Sequence, residues 1–258
     1  MAEEAGMRPG DELAGKVALV TGGARNIGRA ISRALAAGGA AVMVNVNTSL
    51  DAARQTIDMI EAAGGKAAHH VADVTKEDAV RGLVEETVRR FGRLDILVSN
   101  AAIRIETPFE EITFDEWHKV LATILDGAFL SAQGCLPHFK KAGSGTIVNI
   151  GGLTGHKGAL HRTHVIAAKA GLAGMTKALA LELAEHNITV NCVVPGQIET
   201  QRGLPGAPER AASRHAMPPA GRRGAPGEVA ALVRMLAGSD ARYITGQAIH
   251  INGGGYLP

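Results

Sequence analysis

The sequence predicts an α/β protein: a doubly wound, parallel sheet of seven strands between two layers of helices. Three observations point there. Short apolar runs alternate with segments of helical period along nearly the whole chain, which is the pattern of βαβ units. The composition is 46% apolar with only 3% aromatic, and its many Ala, Gly and Val suit small-residue helices packed closely on a parallel sheet. The first apolar run also ends in a glycine-rich turn that opens a helix. A chain of 258 residues exceeds the usual domain size, but sheets of this class commonly reach that length as one domain.

The elements follow in order. Residues 1 to 14 are dominated by Gly, Pro and charge without periodicity, so a flexible leader is expected, with a single domain over 15 to 258. "KVALVTG" reads as the first strand, "NIGRAISRALAAGG" as a helix, "AAVMVNV" as the second strand, "LDAARQTIDMIEAAGG" as a helix and "KAAHHVAD" as the third strand. A helix over 76 to 91, a strand over 94 to 100, a long helix ending near Lys141 and the strand "GTIVNI" come next. A helix over 163 to 186, the strand "ITVNCVVP", a helix over 227 to 237 and the strand "QAIHI" complete seven strands and about six main helices. Residues 197 to 226 form the longest irregular stretch, rich in Pro, Gly and Arg, and are expected to be a substrate lid.

Charge and cysteine content exclude several functions. With 27 basic against 25 acidic residues, a formal charge of +2 and no basic block, neither a nucleic-acid nor a membrane partner is expected. The N-terminus lacks an apolar signal region, and no run approaches the roughly 18 apolar residues of a membrane helix. A cytoplasmic protein acting on a small molecule is the expectation. Cys135 and Cys192 are too few and too far apart for a disulfide framework or a metal site, and read as reduced core thiols.

In doubly wound sheets, ligands sit beyond the carboxyl ends of the strands. There the first strand runs into Thr21, Gly22, Gly23, Ala24, Arg25, Asn26, Ile27 and Gly28. Glycines let such a turn approach a pyrophosphate, whose charge the following helix N-terminus stabilises. A plain strand-to-helix turn is the bland alternative, and the flanking strand and helix favour the cofactor. Further along stand Asp73 and Val74, then Asn100, Ala101 and Ala102, then Pro195 and Gly196 followed by Ile198 and Thr200, then "TGQAIHINGGG".

These motifs, in this order from about residue 15 onward, resemble the short-chain dehydrogenase/reductase family, of the 3-oxoacyl-carrier-protein-reductase-like kind. The resemblance implies a Rossmann-type, three-layer αβα fold and a nicotinamide nucleotide. It gives Asp73 to the adenine, Asn100 to the ribose region and Ile198 with Thr200 to the nicotinamide carboxamide, and counts Val74, Ala101, Pro195 and Gly196 among the cofactor-binding residues. It also implies a homotetramer or homodimer through helices 115 to 141 and 163 to 186. Asn26 stands at the family's middle glycine, and Asn is the residue after Gly that best tolerates left-handed backbone. No acid ends the second strand before Asp51, and Arg25, Asn45, Thr48 and Ser49 are placed to meet a 2′-phosphate, so NADP(H) is favoured over NAD(H).

The family's reaction uses a Tyr, a Lys four residues later, a Ser and an Asn. Lys169 matches the lysine, which by the resemblance would also hold the nicotinamide ribose, but Val165 occupies the tyrosine position and Gly152 the serine position, both on the substrate side, and Ile124 the asparagine position. No Tyr occurs between Trp117 and Tyr243, so a shifted alignment does not restore one. His161 falls on the face of Val165 and Lys169 if the helix extends back that far, and it is a candidate proton donor whose competing role is a solvated loop histidine. His164 lies about 100° round the helix from Val165 and is expected to face packing or a partner subunit. His156 and Lys157 read as exposed loop residues. Arg104 and Arg162 are candidates to clamp an anionic substrate, or are surface arginines. An NADPH-dependent reductase of C=O or C=N bonds with an atypical site is the leading expectation. A non-redox lyase or isomerase that keeps the nucleotide, and a catalytically silent NADP(H)-binding protein, stay open.

Overall fold

The computed structural model describes residues 7–200 and 217–258. Its centre is one seven-stranded parallel sheet in the order β3-β2-β1-β4-β5-β6-β7. The strands are β1 (Val17–Val20), β2 (Ala41–Val46), β3 (Lys66–Val71), β4 (Ile96–Ser99), β5 (Gly145–Ile150), β6 (Ile188–Pro195) and β7 (Ala248–Ile251). The helices are α1 (Asn26–Ala37), α2 (Leu50–Ala62), α3 (Glu77–Phe91), α4 (Phe114–Leu121), α5 (Gly127–Ala142), α6 (Thr154–Lys157), α7 (Thr163–Glu182) and α8 (Pro226–Ala237). The chain steps outward from β1 to β3 and then returns to place β4 on the other side of β1. This switch point puts the turn after β1 beside the turn after β4, where a crevice opens.

Alternation along each strand divides the core into two layers. Ala18, Val20, Val42, Val44, Ile96 and Val98 point to the face covered by α1, α2 and α8, where Ile31, Leu35, Ile60 and Val233 meet them. Leu19, Met43, Leu97, Ile147 and Val190 point to the opposite face, against Leu83, Val84, Cys135, Phe139 and Leu183. β1, β4, β5 and β6 are buried throughout, as the central strands of a sheet covered on both faces must be. Cys135 and Cys192 are buried, free thiols.

Four local expectations change. The expected leader is docked near its end: Leu13 is fully buried, its N–H donates to Gly38 O, and Arg234 of α8 pairs with Glu12 and donates to Arg8 O, while Arg8 to Glu12 and Ala14 stay exposed. One apolar side chain and one ion pair dock a stretch whose composition alone suggested a tail. The long helix ending near Lys141 is α4 and α5 joined by one π turn, Ala122–Asp126. That run, Phe114–Ala142, has the length and apolar content of a membrane-crossing helix, contrary to the expectation that no run approaches one; here it lies against α3, β4, β5 and α7 in the helical layer. Finally, α7 ends at Glu182 and starts at Thr163, so no helical turn carries His161.

Of the expected lid, residues 201–216 lie outside the described residues. Its flanks close on each other: Gly224 N donates to Gln197 O, and Glu199 N donates to Gly224 O.

Candidate active site

The first wall of the crevice is the turn between β1 and α1, and its shape is dictated by backbone crowding. Gly22 has φ +61°, and Asn26 at +49° adopts the left-handed conformation expected of it. A Cβ at Gly28 would lie 2.2 Å from Gly22 O and 2.7 Å from Asn100 Nδ2, so only glycine fits where the turn folds back on itself. Asn100 fixes this arrangement across the switch point, donating from Nδ2 to Thr21 O and Gly22 O, both at 3.0 Å. Thr21 Oγ1 returns the tie by accepting from the N–H groups of Asn100 and Ala101. The result is a rigid cradle at a helix N-terminus with a close backbone approach, which fits the diphosphate of a nucleotide.

Several residues expected at the nucleotide have other work. Asn45 is 1% exposed and its amide is spent internally: Oδ1 accepts from Gly22 N, and Nδ2 donates to Ala72 O at 3.0 Å. Asn45 therefore braces the glycine turn and the end of β3 and is not presented to a 2′-phosphate. Val74 is buried against the start of α5, where a Cβ on Gly127 would meet its methyl at 2.9 Å. Asp73 accepts from Thr75 N and Oγ1, closing a turn at the crevice edge. Arg25 and Thr48 are exposed beside the cradle, in reach of solvent and of a ligand there.

The second wall follows β5 and β6. A cleft of about 290 Å³ runs from Ile27 and Asn100, past Gly151 and Gly152, to Arg162, Val165 and Lys169, with Pro195, Gly196, Ile198 and Thr200 along its side. Lys169 is part of this lining. Its Nζ donates to Ile150 O, and burial pushes its pKa down to about 8, a shift that the nearby Cys192 slightly opposes. Burial pushes Cys192 itself up to about 11. A Cβ on Gly152 would meet nothing closer than Lys169 Cγ at 3.9 Å, so this position is open space.

Around Lys169 the floor is apolar. Val165 and Ile124, 7% and 2% exposed, pack with Val120 and Ala168 into one cluster, supported by Ile103, Ile105, Leu121 and Leu125. The π turn in the α4–α5 run carries Ile124 into this cluster. No sequence period joins residues 124 and 165; only the fold does.

The histidines separate clearly. His161 is exposed, has φ +59° and is absent from the cleft wall, so the expectation that it looks into the site is corrected. Its carbonyl accepts from Thr107 N, a backbone tie that holds the loop before α7 in this unusual conformation. His164 is fully buried within the chain with Nε2 3.1 Å from Glu116 Oε1, joining α7 to α4. His156 is half-buried and not exposed: its ring packs edge-on against His250 at 4.6 Å. Lys157 is exposed at the cleft mouth.

Both candidate arginines line the cleft. Arg162, only 8% exposed, pairs through Nη2 with Glu106, and Arg104 lies 3.4 Å from the same carboxylate. Arg223, within the expected lid, also lines the cleft, whereas Glu106 and the electrostatic interaction of Cys192 with Lys169 depend on tertiary proximity with no local sequence signal.

The comparisons with known proteins agree with this architecture. Residues 22–255 match the family model described as enoyl-(acyl carrier protein) reductase. A 3-oxoacyl-[acyl-carrier-protein] reductase, FabG, of Salmonella typhimurium is 39% identical over 243 residues, covering 94% of this chain and 98% of the relative. The Thermotoga maritima protein of the same name is 40% identical over 249 residues, again covering 94% and 98%. A solved structure of a Serratia marcescens short-chain dehydrogenase/reductase double mutant superposes with a TM-score of 0.87 at 34% identity, covering 95% of this chain and 99% of that one.

Proposed function

The chain belongs to the short-chain dehydrogenase/reductase family, and on that premise we propose that it is an NADP(H)-dependent oxidoreductase that reduces a C=O or C=N bond without the family's tyrosine. The observation that carries this reading is the contrast between the two walls: the glycine cradle is closed to anything but glycine at residue 28, whereas Val165 and Ile124 form an apolar floor beside Lys169. Three of the family's four catalytic positions, at Ile124, Gly152 and Val165, then carry no proton. Lys169, in the lining of the cleft, carries the one that remains.

Asn100, Ile198 and Thr200 line the cleft where the nucleotide would be held, next to Ala101, and the exposed Arg25 and Thr48 would meet its 2′-end. The absence of an acid between Val46 and Asp51 and the exposed Arg25 support NADP(H). When bound, the reduced nucleotide supplies a hydride. Lys169 would stand beside the oxygen or nitrogen on which charge would grow, where its ammonium would neutralise that charge and give up its proton. The Ile150 carbonyl orients Nζ, and the apolar floor excludes competing water. An amine with its pKa near 8 is protonated at neutral pH yet acidic enough to release a proton.

The expected assembly is a dimer or tetramer through the α4–α5 run and α7, in keeping with the exposed Phe129 and Leu181 on α5 and α7. A cytoplasmic enzyme of a small molecule is in keeping with the near-neutral charge. Titrating the purified protein with NADPH and NADH and then presenting matched ketones and cyclic imines tests the reading. Oxidation of bound NADPH by one substrate class is expected; product formed from a substrate while the nucleotide stays reduced would overturn it in favour of a lyase or isomerase.

A further inference from the structure

The charge of the cleft is one-sided. Among the described residues, its wall carries Arg104, Lys157, Arg162, Lys169 and Arg223 and not one Asp or Glu. A bare iminium cation meets five like charges in that wall, and the acid at this end, Glu106, is paired with Arg162 and Arg104. The nucleotide's own phosphates belong at the glycine cradle, across the cleft from the Arg104–Arg162 end. Arg104 stands in the loop after β4 and Arg162 in the loop just before α7, and both line the cleft with Val165.

Arg162 is built as a ligand group. It is 8% exposed, its Nη2 is engaged by Glu106, and its Nε is buried with no hydrogen-bond partner. A guanidinium buried with an unmatched N–H pays a desolvation penalty that a second carboxylate would remove, because the planar fork presents donors on two edges. Ile103, Leu153 and Val165 in the same wall provide an apolar bed for the body of such a molecule.

We propose that the substrate is a small organic acid whose free carboxylate is held by Arg162, with Arg104 beside it, so that its reducible carbon lies between that carboxylate and Lys169. The inference rests on the reductase reading for the fate of the carbon but not for the binding of the anion. A carboxylic acid with an adjacent C=O or C=N group fits; the corresponding ester or thioester presents no charge to Arg162. Glu106 acts as an internal anion that balances the two arginines when the cleft lacks substrate.

Calorimetric titration of the protein loaded with NADP⁺, using α-ketoisocaproate, its methyl ester and inorganic phosphate as probes, tests this without turnover. The acid should bind ~10-fold or more tightly than the ester, as one charge-assisted pair in a desolvated site implies. Arg162→Met should erase that ratio, and Glu106→Gln should tighten the acid, because it frees the guanidinium from its internal partner. Equal binding of acid and ester, or loss of acid binding in Glu106→Gln, would overturn the proposal; phosphate competing as well as the acid would overturn the carboxylate assignment. Should Arg162→Met fail to fold, the acid-to-ester ratio in the wild-type protein and in Glu106→Gln decides alone. Acid binding without any later oxidation of NADPH would leave the clamp standing and remove the reductase reading.

Discussion

At Gly28 a single hydrogen decides whether the nucleotide cradle exists. Gly28→Ala places a methyl group 2.2 Å from Gly22 O, and no flexible side chain is there to yield. Fluorescence titration should show NADPH affinity lowered by ~10-fold or more, since both the turn and the Asn100 tie must move. Lys169 gives the pH dependence. On the proposed mechanism the ammonium delivers the proton, so the reduction rate should hold below about pH 8 and fall as pH rises through that value; the reverse reaction should rise over the same range. Lys169→Met should remove this profile together with most of the activity, while His161→Ala, at an exposed position outside the cleft wall, should leave turnover unchanged. The sequence made Lys169 and Gly28 legible because each sits at a fixed offset from a motif. It misplaced His161 because helical projection assumes a helix, and the chain before Thr163 turns through φ +59° instead.

Among the elements, α8 shows how a terminus is secured. Glu228 accepts from Ala225 N and pairs with Arg222, an exposed guanidinium whose hydrogen bond holds the carboxyl down to about 2. Because the folded pKa is below the unfolded one, the stabilisation is present above the ordinary carboxylate value and is lost as pH falls towards 2. Glu228→Gln should lower stability by about 1 kcal/mol at neutral pH in denaturant unfolding, a typical value for a helix-end cap, and should flatten the acid limb of the stability profile. The π turn and α7 carry the second element-scale prediction. Gly152 has room for a serine, whereas Val165→Tyr adds bulk to a packed cluster and should cost about 1–3 kcal/mol. The pair Val165→Tyr and Gly152→Ser should nonetheless add reduction of neutral ketones if α7 and β5 keep the family's spacing; a folded double variant with no such gain would mean that they do not. Strand and helix positions were readable from period and composition, but the π turn that brings Ile124 to Val165 has no signature in either.

For the molecule as a whole, the seven strands, their parallel arrangement and the crevice at the β1–β4 switch point follow from the βαβ alternation that the sequence displays openly. What the sequence hid is charge distribution. A net charge of +2 says nothing about a cleft that gathers five cations in its wall and leaves Glu106 behind two of them. The leader was hidden for a similar reason: Leu13 and the Glu12–Arg234 pair act through contacts with residues far along the chain. The central claim is that this family member transfers a hydride with Lys169, not a tyrosine, as the proton source. Single-turnover measurement of nicotinamide absorbance with NADPH prebound and α-ketoisocaproate added, from about pH 6 to about pH 10, tests it most directly. The account predicts NADPH oxidation whose rate falls with an apparent pKa near 8 in the wild-type protein and loses that dependence in Lys169→Met. NADPH oxidation with an unchanged pH profile in Lys169→Met would contradict it.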